Sequence, residues 1–283
     1  MKPGAYAVVT GASRGLGKAF AEEAARQGWN VAILALPGTG LPQVTASLRQ
    51  RYPVDVQAFE VDLGDRARLA AFREWIERHG MEVSLLVNNA GVGSAGAFDE
   101  AGTGRVSAVV DVNVQALTQL THLLLPTLKR QARGTVINIA SLAAFTPMPS
   151  MAVYAASKSY VLSFSLALRE ELRGTNVAVT TVCPGGIMTN TESITRIHAQ
   201  GFFGRITART PEQVVRAALR GARRGKSVVV PGWPNRLLRL FGSTFPKSVV
   251  VRVIGGRFGR AESAARGVER GYVLPPAAAA KPA

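Results

Sequence analysis

The stretch VVTGASRGLGKAF, residues 8–20, decides the fold, because three closely spaced glycines join an apolar run of strand length to a segment of helical period. Gly11, Gly15 and Gly17 follow a G-x-x-x-G-x-G spacing. A turn with a phosphate against its backbone needs residues without a Cβ, and the helix that follows offers its free N–H groups to a pyrophosphate. The stretch predicts a nucleotide-binding turn, and the alternative is that the glycines serve only a tight turn.

A mononucleotide P-loop fits this stretch less well. Five residues rather than four separate Gly11 from the Gly17-Lys18 pair, and Ala19 stands where a P-loop places the Ser or Thr that holds magnesium. The position of the glycines at the amino terminus of a repeating strand and helix pattern instead favours a dinucleotide site.

Outward from this turn, apolar runs of strand length alternate with longer segments of helical period. The predicted strands are AYAVVT, NVAILAL, VDVQAFEVD, VSLLVNNAG, GTVINIAS, NVAVTTVCPGG and KSVVVPG. They show few alternating polar positions, which is typical of a parallel sheet covered on both faces, and the helices between them supply the crossovers that such a sheet requires. Residues 1–232 are therefore predicted to form a doubly wound α/β domain of Rossmann type, with a parallel seven-stranded sheet.

Beyond Pro231 the character of the chain changes. Residues 233–270 are predicted to form a basic amphipathic C-terminal extension with a helix, and residues 271–283 a disordered tail that has nothing to bury. The extension carries a predicted apolar helix face beside two arginines, made of Leu237, Leu238, Leu240 and Phe241 with Arg236 and Arg239. Two interpretations stay open: a surface helix that touches anionic lipid, or a helix packed across the substrate cleft or on a neighbouring subunit.

Composition indicates a globular protein. Of 283 residues, 47% are hydrophobic and 18% charged, which leaves little room for long disorder. Cys183 is the only cysteine, so no internal disulfide forms, and the start of the chain lacks the pattern of a secretory signal. No apolar stretch reaches the roughly 18 residues of a membrane span. The expected location is the cytoplasm, with peripheral membrane contact through the extension as an addition.

The formal net charge of +16 is unusually high for a chain of 283 residues. It suggests nucleic acid or an anionic membrane as a partner, and nine Lys or Arg residues against two Glu lie from Trp233 onward. No nucleic-acid reading motif accompanies the charge, so nucleic-acid binding is not expected. His79, His122 and His198 lack the spacing of metal ligands, and no metal is expected.

The segment VYAASKSYVLSF, residues 153–164, carries the predicted chemistry. Tyr154 and Lys158 are four residues apart, so on a helix their side chains project together. A lysine charge favours phenolate and is predicted to lower the pKa of Tyr154 from its usual value of about 10, which prepares the phenol to exchange a proton. Ser141 follows a strand and is placed to hydrogen-bond a substrate oxygen. A Tyr four residues before a Lys also occurs by chance, but Ser141 and the glycine loop favour a catalytic cleft.

Several motifs taken together resemble the short-chain dehydrogenases/reductases of the Y-x-x-x-K branch. They occur in order over residues 5 to about 232: TGASRGLG, VDLGD, NNAG, DVNVQAL, SLAA, YAASK and PGGIMT. The resemblance implies Tyr154 as general acid/base, Lys158 as modulator of its pKa and ligand of the nicotinamide ribose, and Ser141 as stabiliser of the substrate oxygen. It also implies that Asn113 holds a water that continues a proton relay from Lys158, although Asn113 could instead only pin its helix.

The same resemblance implies the cofactor contacts. Asp62 and Leu63 are expected at the adenine. The full set of implied cofactor-binding residues is Gly11, Ser13, Arg14, Gly15, Leu16, Gly17, Asp62, Leu63, Asn89, Ala90, Gly91, Tyr154, Lys158, Pro184, Gly185, Ile187 and Thr189.

NADP is the expected cofactor, with NAD as a possibility. NAD enzymes usually place a carboxylate at the end of the second strand, where this chain has the neutral Ala35 and Leu36. Arg14 in the glycine loop is a cation that can meet a 2′-phosphate.

The sequence thus predicts an NADPH-dependent oxidoreductase that reduces a ketone, or reversibly oxidises a secondary alcohol, on a hydrophobic substrate such as a 3-oxoacyl, steroid-like or polyketide compound. Residues 189–210 correspond to the family's lid, where Ile194, Ile197, Phe202 and Phe203 either line an apolar pocket or pack the lid onto the body. A homodimer or homotetramer is expected from the resemblance. The alternative function is a catalytically silent nucleotide-binding regulatory protein.

Overall fold

The structure, a computed structural model, describes residues 4–189, 193–195, 197, 201–244 and 247–252. Seven parallel strands form one sheet in the order β3-β2-β1-β4-β5-β6-β7. Their bounds are β1 Tyr6–Thr10, β2 Asn30–Ala35, β3 Val56–Glu60, β4 Val83–Asn88, β5 Gly134–Ile139, β6 Val177–Val182 and β7 Val228–Val229. The predicted doubly wound fold is confirmed.

Helices separate the strands, as the alternation of the sequence predicted, whereas the helix in the lid segment was not predicted. The α-helices are α1 Gly15–Arg26, α2 Leu41–Arg51, α3 Arg66–Arg78, α4 Thr103–Val110, α5 Leu117–Arg130, α6 Ala152–Glu171, α7 Gly201–Thr207, α8 Pro211–Arg223 and α9 Trp233–Thr244. A short 3-10 helix, Leu142–Phe145, follows β5, and residues 247–252 are also helical.

Two apolar layers hold the helices on the sheet. On one face, α1, α2 and α8 pack through residues such as Phe20 and Leu41, and on the other face α3, α5 and α6 pack through residues such as Phe72 and Leu124. Because side chains alternate along a strand, Val9 points to the first layer and Val8 to the second. Both are fully buried, as expected of a sheet without a solvent-facing side.

The apolar segment VVDVNVQALTQLTHLLLPTLKR, residues 109–130, is helical but contains an irregularity. A π-helical segment, Asp111–Ala116, separates α4 from α5. Such wide turns insert a residue into the helical register and are frequent at functional sites. Here the wide turn contains Asn113.

The chain after β7 forms α9, which packs against the body by one side. Asn235 is fully buried, and Gly242 lies so close to Thr146 Oγ1 that there is no room for a Cβ. The predicted tail, residues 271–283, lies outside the described residues, so the division of the chain into 1–232, 233–270 and 271–283 stays a prediction. Within the described ranges, no helix is long and apolar enough to cross a bilayer.

Candidate active site

The predicted site residues gather at the carboxyl edge of the sheet. The glycine loop follows β1, Asn89 follows β4, Ser141 follows β5 and Pro184 follows β6. Parallel strands end at the same edge, so residues far apart in sequence meet there, which is where ligands of such folds bind. The first two turns of α6 bring Tyr154 and Lys158 to the same edge.

Tyr154 is partly buried, and the Ser141 side chain lies near enough to its hydroxyl to influence its pKa. Burial raises the pKa of the phenol above its usual value, and Ser141 lowers it only in part. The prediction of a lowered Tyr154 pKa is therefore wrong for this structure. The physical reason is that burial disfavours the charged phenolate more than Ser141 favours it, and Lys158 Nζ lies 5.8 Å from the Tyr154 ring centre.

Lys158 is buried, and only 5% of its surface is exposed. Its Nζ donates a hydrogen bond to the carbonyl oxygen of Ile139, the last residue of β5, at 3.0 Å. Burial lowers the pKa of Lys158 to about 8, while the nearby Cys183 acts in the opposite direction. The ammonium is thus poised to give up its proton only slightly above neutral pH.

Asn113 is fully buried and its amide is bonded on both sides. Oδ1 accepts from the Val92 N–H at 2.8 Å, and Nδ2 donates to the Val92 carbonyl at 2.9 Å and to Ser157 Oγ at 3.0 Å. Ser157 Oγ in turn donates to the Tyr154 carbonyl at 2.7 Å. The π-helical turn therefore ties the loop after β4 to the first turn of α6.

Gly91 lies between Asn113 and Lys158. A Cβ built on it would come 3.2 Å from Asn113 Oδ1 and 3.3 Å from Lys158 Nζ. The absence of a side chain at Gly91 therefore leaves room for these two polar groups to lie close to the loop after β4.

The glycine loop fits a dinucleotide phosphate. A Cβ at Gly17 would collide with the Gly11 carbonyl oxygen, so α1 packs on the turn only because Gly17 has no side chain. No side chain caps the amino terminus of α1, which leaves its first N–H groups for an anion. Asn89 braces the loop, because its Nδ2 donates to the Thr10 carbonyl at 2.8 Å and to the Gly11 carbonyl at 3.3 Å.

The adenosine end of the predicted cleft is more open. Arg14, the residue before α1, is exposed, and Leu36 just beyond β2 is exposed as well. Asp62 is exposed and its Oδ1 accepts the Gly64 N–H at 2.9 Å, while Leu63 is buried in the second apolar layer. Leu36 thus lies at the carboxyl end of β2, and Asp62 and Leu63 lie at that of β3, while their contact with adenine stays a prediction.

The segment after β6 closes the other end. Thr189 lies over the glycine loop, since a Cβ at Gly15 would come 3.0 Å from Thr189 Cγ2. Ile187 forms an isolated parallel bridge with Arg209, which fastens the segment to the carboxyl end of the lid. Ile197 is buried against Gly186, so it packs the lid onto the body, and Ile194 is partly exposed. The side chains of Phe202 and Phe203 lie outside the described residues.

Three residues of this site were not predicted. Thr10 Oγ1 accepts from the N–H groups of both Asn89 and Ala90, at 3.0 and 2.9 Å, and Ser157 links Asn113 to α6. Asn235 of α9 lies against Gly185, whose Cβ would come 2.9 Å from Asn235 Oδ1. Ser157 precedes Lys158 and lies three residues after Tyr154, a spacing that could have indicated it, whereas no local signal marks Asn235.

Comparison with known proteins agrees with this geometry. The family described as short chain dehydrogenase matches residues 5–199. A very-long-chain 3-oxoacyl-CoA reductase of Anas platyrhynchos is 31% identical over 221 residues, which cover 76% of this chain and 68% of the duck protein. The protein of the same name from Laccaria bicolor is 34% identical over 63% of this chain and 53% of its own length.

Among solved structures, the short-chain dehydrogenase from Sphingobium yanoikuyae in complex with NADPH has a TM-score of 0.69 and 26% identity, and covers 96% of this chain and 99% of its own. The bulky-bulky ketone specific alcohol dehydrogenase from Comamonas testosteroni has a TM-score of 0.70 and 25% identity, and covers 98% of each chain. These comparisons give no support to a catalytically silent regulatory protein. The chain is an NAD(P)-dependent oxidoreductase and belongs to the short-chain dehydrogenase family.

Proposed function

We propose that this protein reduces a ketone on a hydrophobic substrate with NADPH, and reversibly oxidises the corresponding alcohol. The observation that carries the proposal is that the end of β5 and the start of α6 bring Ser141, Tyr154 and the buried Lys158 to one edge of the sheet, with Lys158 Nζ 5.8 Å from the Tyr154 ring centre. Of the skeletons considered, a 3-oxoacyl chain is favoured, because the curated relatives above are named as reductases of 3-oxoacyl-CoA.

In the proposed reaction the bound nicotinamide supplies a hydride to the ketone carbon. Ser141 donates a hydrogen bond to the ketone oxygen, and Tyr154 gives that oxygen its proton. Because burial raises the pKa of Tyr154, the phenol is protonated at neutral pH, which is the form that reduction needs. Because the two hydroxyls lie near each other at the sheet edge, both can contact the same substrate oxygen.

Lys158 and Asn113 complete the proposed machinery. Both lie directly behind Gly91, and Lys158, with a pKa of about 8, can release a proton near neutral pH. We propose that Lys158 and Asn113 return a proton to the Tyr154 phenolate after the reaction, and that Asn113 does so through a water. In the alcohol-oxidising direction the same groups carry the proton away.

The preference for NADP over NAD is part of the proposal. It rests on the exposed Arg14 in the glycine loop and on the neutral Ala35 and Leu36 at the end of β2, where a carboxylate would repel a 2′-phosphate. We expect kcat/KM to be higher with NADPH than with NADH. The reverse order would contradict the preference and leave the reductase proposal standing.

The oligomeric state and location are further proposals. Tyr160 and Leu166 on α6 are about two-fifths exposed, and such apolar side chains suit a contact between copies, so we propose a homodimer or homotetramer. We propose a cytoplasmic location, since the single cysteine, Cys183, is buried and forms no disulfide. Light scattering on the purified protein measures its molecular mass, and the mass of a monomer would contradict the proposed homodimer or homotetramer.

The decisive experiment compares Tyr154→Phe with Tyr160→Phe. Both changes remove one phenolic hydroxyl from α6, but the Tyr160 hydroxyl contacts only Thr118 Oγ1 among the described residues. With NADPH and a panel of ketones, including 3-oxoacyl thioesters, we expect Tyr154→Phe to lower kcat/KM by about 10²- to 10⁴-fold. Tyr160→Phe should stay within a few-fold of the parent. Undiminished turnover in Tyr154→Phe would sink the mechanism, and tight NADPH binding without turnover of any ketone would favour a regulatory role.

A further inference from the structure

Helix α9 is amphipathic, but its apolar side faces solvent instead of the protein body. Its inner side is small or polar, with the fully buried Asn235 and with Gly242 against Thr146. Trp233, Leu237 and Leu240 are 69%, 58% and 62% exposed, and their spacing of four and three residues places them in one row on the opposite side. We call these three residues the outer stripe. A helix whose only neighbour is the protein core buries its apolar side, so the outer stripe indicates a second, apolar neighbour.

The charge around the outer stripe indicates what kind of molecule this apolar neighbour is. No Asp or Glu occurs between Glu212 and Glu262, a stretch that includes all of α9. Arg236 and Arg239 in α9 are exposed, as are Lys247 and Arg252 in the helical turn that follows. The outer stripe therefore lies in a surface that is both apolar and cationic.

Three candidates for the neighbour of the outer stripe can be compared by their charge. A second copy of the chain would bring a second cationic surface onto the first, and like charges in contact oppose such pairing. The chain's own residues 253–283 carry five Lys or Arg against two Glu, so they are also cationic and meet the same repulsion. An anionic lipid surface offers opposite charge for the arginines and an apolar interior for the outer stripe. Trp233 at the start of the helix is the side chain that favours the boundary between the two.

We propose that α9 docks on an anionic membrane surface, with the outer stripe in the headgroup region and Arg236, Lys247 and Arg252 on lipid phosphates. The inner side of α9 is fixed to the catalytic apparatus: Asn235 Nδ2 donates to the carbonyl of Thr207, the last residue of the lid helix α7, at 3.0 Å. Arg239 lies 5.2 Å above the ring of Phe145, close to Ser141. Docking therefore brings the lid and the catalytic loop to the bilayer. Resting on the proposed function, this assigns the substrate class as a ketone that resides in, or is delivered from, a membrane.

The test measures binding of the full chain to vesicles, without cofactor or substrate. Vesicles of phosphatidylcholine alone are compared with vesicles that contain about 30% phosphatidylglycerol, which mimics an anionic surface. We expect binding to the anionic vesicles that weakens with salt. The double change Leu237→Gln and Leu240→Gln should reduce it by roughly tenfold or more, because two side chains lose their apolar partner. Arg236→Gln should reduce it by about fivefold.

The matched control is Arg220→Gln, which removes one exposed arginine from α8 and should bind as the parent does. Absence of binding, equal binding to neutral vesicles, or full binding by the double glutamine variant would each overturn the proposal. A fall in molecular mass of the double variant in light scattering would also overturn it and assign the outer stripe to a second copy. Turnover of a water-soluble ketone should be unchanged in the double variant, so failure of docking and failure of the reductase proposal are distinguishable.

Discussion

At the scale of single residues, burial sets the protonation of the site. The same desolvation raises the pKa of the Tyr154 phenol and lowers that of the Lys158 ammonium, because in both cases the charged form is disfavoured. The site thus holds a neutral proton donor beside a cation that is easily discharged. A sequence shows that a phenol and an amine share a helix face, but it does not show how little water reaches them, which is why the sign of the Tyr154 shift was wrong.

Lys158 gives a prediction on the pH dependence of stability. Its pKa is about 8 in the folded chain against an ordinary 10.5, so between these values the unfolded chain binds more protons and stability rises with pH. Below about pH 8 the buried charge is a full cost. We expect the difference in unfolding free energy between Lys158→Met and the parent to shift in favour of the parent by about 2 kcal/mol from pH 7 to about pH 9.5.

Urea unfolding at the two pH values measures this shift. Lys226→Met is the control, because Lys226 is exposed and its replacement should show no such dependence. The constant loss of the bond from Nζ to Ile139 cancels when the two pH values are subtracted. A pH-independent difference for Lys158→Met would show that the ammonium is solvated in the folded chain.

At the scale of elements, α9 depends on one buried amide. Asn235 Nδ2 donates to the carbonyls of Thr207 and Pro231, at 3.0 and 2.7 Å, and thereby joins α7, the end of β7 and α9. We expect Asn235→Ala to lower the unfolding free energy by about 2 to 4 kcal/mol, since two buried carbonyls lose their donor. Thermal or urea unfolding measures the loss.

Thr244→Ala on the same helix is the control for that change. Thr244 Oγ1 only bonds back to the Leu240 carbonyl four residues earlier and is exposed, so its removal should be nearly neutral. Equal effects of the two substitutions would mean that α9 is held by its apolar contacts and not by Asn235.

Elements differed in how far the sequence predicted them. The parallel strands were evident because β-strands buried on both faces are continuous apolar runs, and the glycine loop because its spacing has few other uses. The π-helical turn at Asn113 was not predicted, since DVNVQA has no composition that separates a π turn from an α turn. Its cause is tertiary: Asn113 reaches both Val92 and Ser157 from there.

At the scale of the whole molecule, the fold brings the predicted site residues together at the carboxyl edge of the sheet. Ser141, Tyr154 and Lys158 were predictable because a strand end and a spacing of four residues fix their positions relative to the sheet edge. Thr10 and Asn235 were not, because their partners are backbone groups from distant parts of the chain. Local periodicity thus predicts where chemistry occurs, and long-range packing decides which residues support it.

The net charge of +16 gives a whole-molecule prediction. Arg216, Arg220 and Arg224 follow one another at intervals of four residues from α8 onward, and line a surface cavity of about 260 Å³ away from the catalytic edge. Like charges at this spacing repel, so Arg220→Gln should raise the unfolding free energy at low salt by about 0.5 kcal/mol, an advantage that salt removes.

Urea titrations at about 0.02 M and about 0.5 M sodium chloride measure this effect, the higher concentration being one at which surface charges are screened. Arg26→Gln is a control that should change stability in the opposite direction. Arg26 donates to both carboxylate oxygens of Glu23, at 2.7 and 2.8 Å, so its loss should lower the unfolding free energy. A destabilising effect of Arg220→Gln at low salt would indicate that attraction to Glu23, which lines the same cavity, outweighs the repulsion among the arginines.

The double bond of Asn235 to Thr207 and Pro231 also bears on turnover. Any displacement of the carboxyl end of α7 must therefore break these bonds or move α9 as well. A ligand that binds the exposed side of α9 is thus connected through Asn235 to the lid helix, although it lies outside the cleft.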